Sequence, residues 1–132
     1  MNVHNDLAHK DTSDAGSSPE NTAKLVTVNR YYARVVARLA QKLDALPDAN
    51  GTTALDHTLV VWANEFGRGD HSLENVPLVL IGGQGAGAAT GGRLVDRGRQ
   101  PFQRIGCSIL HAMGMRVPGF GDAPTCGPIV GL

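Results

Sequence analysis

The chain has 132 residues, enough to enclose one hydrophobic core and short of two. Twelve Lys and Arg offset twelve Asp and Glu, so no net field draws the protein to nucleic acid or to an anionic membrane, and neither is expected as a partner. The longest apolar run, 59–63, falls far below the roughly 20 residues of a membrane span, so none is expected.

Residues 1–17 mix His, Asp, Asn and Gly without apolar periodicity and read as an irregular arm. Within it, residues 1–10 lack the basic segment and apolar run of a secretory signal. A periplasmic or extracellular location is therefore expected only if a longer parent protein carries a signal upstream. A domain seldom opens on so long an irregular segment unless other chain or a bound ion holds it, which is a first indication that more sequence precedes Met1.

Ser18, Pro19 and Glu20 supply a capping hydroxyl, a residue suited to the first helical turn and a negative charge at the positive end of the helix dipole. They predict a helix start. Leu25, Val28, Tyr32, Val35, Val36, Leu39, Leu43 and Leu46 recur at steps of three and four residues on one stripe, and Pro47 stops the pattern. The opposite face carries Arg30, Arg34 and Gln41, which read as solvated.

TLVVWA at 58–63 and PLVLI at 77–81 are compact apolar runs without alternation, the pattern of strands covered on both faces, so the first is expected centrally in a sheet. The glycine and alanine run 82–92 predicts tight turning, 93–95 a short strand, and 101–113 a helix with Phe102, Ile105, Ile109 and Met113 on one face. Two strands are few for this class. The expected fold is therefore α/β, part of a layered sheet with flanking helices, incomplete as it stands and forming a single segment over 1–132. Cys107 and Cys126 either pair or remain buried thiols, since neither lies in a C-x-x-C spacing.

The first strand runs into Asn64-Glu65-Phe66-Gly67, placing a carboxylate at the C-terminal edge, where open α/β sheets collect ligands. Asp70 and His71 follow on a glycine-flanked turn that can bring an imidazole back toward that edge. His4, Asp6 and His9 in the arm are metal-ligand types on a segment with no other reason to be ordered. The candidate ligands of a single divalent metal are thus His71, Glu65, His9, His4 and Asp6, with Asp70 behind them orienting an imidazole, and this nitrogen and oxygen set favours zinc. His57, before the strand, and His111, on the last helix, receive no role.

HSLENVPLVLIGGQGAG (71–87) resembles the alkaline phosphatase segment in which a metal-binding histidine precedes a D-V-P-L strand. TLVVWANEFG (58–67) is similar to that superfamily's strand ending in A-D-H-G, aligning Glu65 with its metal-binding Asp and Phe66 with its metal-binding His. A phenyl ring cannot ligate, so the resemblance implies at most one metal. Over nearly the whole length the chain also resembles a family of exported bacterial proteins of unknown function, through L-D-x-T-L-V-V-W (55–62), G-G-x-G-A-G (82–87), G-G-R (91–93), A-M-G-M (112–115) and F-G-D (120–122). The resemblance implies the C-terminal part of a hydrolase acting on phosphate or sulfate esters, whose Ser, Thr or modified Cys nucleophile lies in an earlier portion. Alone, the chain is expected to be inactive. The alternative is a non-catalytic exported binding or structural domain with a degenerate metal site, which Phe66 favours.

Overall fold

A computed structural model describes residues 7–10, 18–96, 100–121 and 127–129 of the chain. In order, these form a 3-10 turn (Ala8–Lys10), helix α1 (Pro19–Asp44), strands β1 (Leu59–Ala63) and β2 (Leu78–Gly82), a 3-10 turn (Gln84–Ala86) and helix α2 (Gln103–Ala112). The described architecture is small and mixed α/β, its two strands paired with each other in one antiparallel sheet. None of its helices is long and apolar enough to cross a membrane. The chain divides into two compact units, Met1–Leu39 with Val61–Val79, and Ala40–Val60 with Leu80–Leu132.

Helix α1 starts where its cap dictates. The Ser18 hydroxyl accepts the Asn21 N–H at 3.2 Å, and Pro19, which has no N–H to leave unpaired, takes the first helical position. One turn on, Lys24 pairs with Glu20 and, through hydrogen bond and charge, holds the Glu20 carboxyl below its usual range. Both groups are exposed, so the pair adds little stability. At the far end Ala45 and Leu46 make the last helical bonds, to Gln41 and Leu43, before Pro47 ends the pattern.

The apolar stripe of α1 is only partly covered. Leu25, Val28, Val36 and Leu43 are half-buried, whereas Tyr32 is 52%, Val35 49% and Leu39 47% exposed, and no residue of the helix is buried. The strands differ from expectation in the same sense. Each lacks a partner on its outer edge among the described residues, and Val61 and Val79 remain exposed, so neither strand is covered on both faces. Residues 93–95 form coil, not a strand.

In the first unit, Leu7 is buried and its carbonyl accepts the side-chain amide of Asn21 at 3.1 Å. The second unit is organised around α2. Cys107 and Ser108 are buried, and Gly106 lies under the Phe120 ring, whose Cδ1 is 2.5 Å from where a Cβ would stand. The Ser108 hydroxyl donates to the Arg104 carbonyl at 2.8 Å and accepts the Ile129 N–H at 2.7 Å. The segment carrying Ile129 is thereby held on the helix. Cys126 lies outside the described residues, so its pairing with Cys107 is not described.

The loop entering β1 is tied by Asp56, whose carboxylate accepts both the Thr53 N–H, at 2.7 Å, and the Thr53 hydroxyl, at 3.1 Å. Its carbonyl accepts the Gly85 N–H, fixing the glycine-rich turn beyond β2. There Gly82, Gly83 and Gly87 take left-handed conformations, so the expected tight turn forms, with the single 3-10 turn Gln84–Ala86 inside it.

Replacing Ser108 with Ala leaves the buried Ile129 N–H without an acceptor, and urea denaturation should show a loss of about 1–3 kcal/mol. A second prediction concerns acid. Hydrogen bonds from the Thr53 backbone and hydroxyl hold the Asp56 carboxyl below its usual value. The stabilisation is complete above the unfolded value of about 3.9 and disappears as pH falls through the lower folded value. Asp56→Asn should therefore melt below the parent at pH 7, and the gap should close in acid below about pH 4; a gap unchanged at low pH contradicts this account.

Candidate metal site

The residues singled out after β1 lie on a closed turn. The Gly67 N–H donates to the Ser72 carbonyl at 2.8 Å, and within that ring the His71 N–H donates to the Arg68 carbonyl at 3.1 Å. Asp70 sets the conformation locally, accepting the Ser72 N–H at 3.0 Å, as aspartates at turns do with a donor two residues on. Its other oxygen pairs with Arg68 at 3.1 Å. The carboxylate is thus committed to shaping the turn. The imidazole-orienting role expected of Asp70 falls instead to a backbone carbonyl.

His71 sits in the left-handed region, with φ of 65°. Such a position after a tight turn ordinarily takes Gly or Asn, because a Cβ there costs roughly 1–2 kcal/mol. The side chain so placed is in contact on two sides. The Phe66 ring stacks on it, with centroids 4.5 Å apart and 22° between planes, and the His9 ring meets it with centroids 4.9 Å apart and planes at 57°.

His9 reaches the turn from the arm. Its Nδ1 is 2.8 Å from the Gly69 carbonyl across 60 positions of sequence. A carbonyl only accepts, so Nδ1 is the donor in this bond and carries a proton. This is how metal-ligating histidines are usually held, one ring nitrogen donating to a backbone carbonyl. The spacing of the rings also suits a shared ion, because imidazoles ligating one tetrahedral zinc at about 2.0–2.1 Å have ring centres roughly 5 Å apart.

The remaining candidates are not gathered here. Glu65 is exposed beyond the end of β1, and among the described residues no three His, Cys, Asp or Glu side chains converge as a metal requires. His4 and Asp6 lie outside the described residues. Of the candidate ligands, the described residues bring together His9 and His71 alone. His57 bonds Thr52 and lies 3.5 Å from Asp48, while His111 donates to the Val117 carbonyl at 2.8 Å; both act within their own loops.

Two residues at the site escaped the sequence reading. Gly69 receives His9, and Asn21 holds the carbonyl of Leu7, two positions before His9. The glycines on either side of Arg68 were the available signal for a close backbone approach. Comparison with family models, curated proteins and solved structures finds no match.

The backbone of His71 yields a stability prediction. His71→Gly relieves the left-handed strain while losing the contact with Phe66, two effects of about 1 kcal/mol each and opposite sign, so it should fold with near-parent stability. His71→Val adds a β-branched side chain where φ is positive, and denaturant midpoints should place it about 2 kcal/mol below His71→Gly.

Proposed function

We propose that the chain binds one divalent metal, zinc favoured, through His9 and His71, as the C-terminal portion of an alkaline-phosphatase-like hydrolase acting on phosphate or sulfate esters. The observation that carries the metal reading is the meeting of these imidazoles, with His9 Nδ1 fixed by the Gly69 carbonyl 60 positions away. Imidazole nitrogens suit zinc better than the hard calcium and magnesium ions, which prefer oxygen.

When bound, zinc supplies Lewis acidity and lowers the pKa of its water. The chain's own residues hold the imidazoles: Gly69 sets the tautomer of His9, and the turn shaped by Asp70 presents His71. Glu65, exposed beyond β1, is the carboxylate available to an incoming group. The hydrolase assignment rests on the motif resemblance, and it fits a sheet whose outer edges are unpaired among the described residues and a long helix with exposed apolar side chains.

The second reading, a non-catalytic binding or structural domain with a degenerate site, is favoured by Phe66, which the motif resemblance aligns with a metal-binding His and whose ring cannot ligate but stacks on His71.

Zinc titration by calorimetry distinguishes them. The metal reading expects saturable binding by the full chain at one site, weakened at least about tenfold by His9→Ala and by His71→Ala. A folded chain that takes up no zinc, or whose affinity neither substitution changes, refutes that reading.

A further inference from the structure

The part of the site most sensitive to its surroundings is the approach of the arm. His9 contributes to the pair only if residues 7–9 lie directly against the turn, and Gly69 is where they touch. A Cβ on Gly69 would stand 1.8 Å from the Ala8 carbonyl oxygen, 2.8 Å from its carbon and 3.2 Å from His9 Cα. Gly69 is not among the glycines with positive φ, so its backbone conformation is open to other residues. Space alone demands glycine here.

Two further contacts hold the same segment. Leu7 is 2% exposed, and the Asn21 amide donates to its carbonyl at 3.1 Å. The arm is thus held through one buried side chain, one side-chain bond from α1 and one close backbone approach.

We infer that Gly69 and Asn21 are positioning residues for the metal pair, setting zinc affinity through the placement of His9 although neither ligates. The inference rests on the metal reading and adds to it which non-ligating residues control the site. Its force comes from a comparison of lengths. An alanine at 69 must open the 1.8 Å approach to at least 3.0 Å, the shortest separation that real Cβ atoms show. Metal–ligand distances tolerate only about ±0.2 Å. The displaced imidazole then falls outside reach of an ion held by His71, and the Gly69 carbonyl that sets its tautomer moves away from it.

The test is a double-mutant cycle on the full chain, with zinc affinity as the readout and circular dichroism to establish folding. Gly69→Ala should weaken zinc about tenfold to a hundredfold, the range found when groups behind a ligand are disturbed. Adding Gly69→Ala to His9→Ala should cost nothing further, because both changes remove the same ligand. A general loss of structure would instead lower affinity in either background.

Should Gly69→Ala not fold, Asn21→Ala carries the same test without adding a Cβ, and the loss expected is severalfold in the parent and absent beside His9→Ala. Parent-like affinity in the folded single variant, or an additional loss in the His9→Ala background, overturns the inference and leaves the metal reading intact. A folded parent that binds no zinc overturns both.

Discussion

The hydrogen bond from His9 Nδ1 to the Gly69 carbonyl joins two segments separated by 60 positions, and what the chain can do chemically depends on it. Without that bond His71 is a single imidazole stacked on a phenyl ring, and a lone histidine gives a metal nothing to distinguish it from any surface histidine. With it, two imidazole rings meet with centroids 4.9 Å apart, and one is assigned its tautomer. The bond exists because the turn presents a bare backbone at Gly69, and the turn keeps its shape because Asp70 spends its carboxylate on Ser72 and Arg68. Local turn chemistry therefore precedes metal chemistry in the causal order.

The elements most legible in the sequence are those whose signals are local. Ser18 and Pro19 mark the start of α1 because a capping hydroxyl and a missing N–H act within one helical turn. Pro47 marks its end for the same kind of reason. The apolar runs identify both strands to within a residue, and the glycines after β2 turn as expected because only glycine takes positive φ without cost.

What sequence periodicity does not carry is the identity of the covering surface. The stripe along α1 and the unbroken apolar run of β1 predict burial, yet Tyr32, Val35 and Leu39 are about half exposed and, among the described residues, β1 pairs on one edge alone. Hydrophobic pattern reports which face an element would bury, while actual burial depends on what packs against that face. The stretch 93–95 failed differently. Three residues next to a glycine pair hold too little pattern to separate strand from coil, and no neighbouring strand among those described is there to pair with it. At the site, an aspartate beside a histidine suggests a carboxylate–imidazole pair, whereas the Asp70 carboxylate bonds the backbone two residues on and Arg68. His71 in a left-handed position was equally hidden, because the usual signal there is Asp-Gly and the chain has Asp-His.

Phe66 bears on both functional readings, and its geometry weakens the case for a dead site. A stacked ring at 22° covers the face of the His71 imidazole, whereas the nitrogen lone pairs that bind metals lie in the ring plane. Stacking therefore restricts the rotation of His71 without occupying the direction from which an ion approaches. The phenyl group thereby holds the imidazole in place while leaving the edge of its ring uncovered by the stack. Left-handed strain at His71 fits this view. The protein bears a cost that Gly or Asn would avoid, and such outliers persist where a particular side chain is needed at a particular angle. Packing against Phe66 supplies about 1 kcal/mol, of the same order as the left-handed strain that the His71 backbone carries.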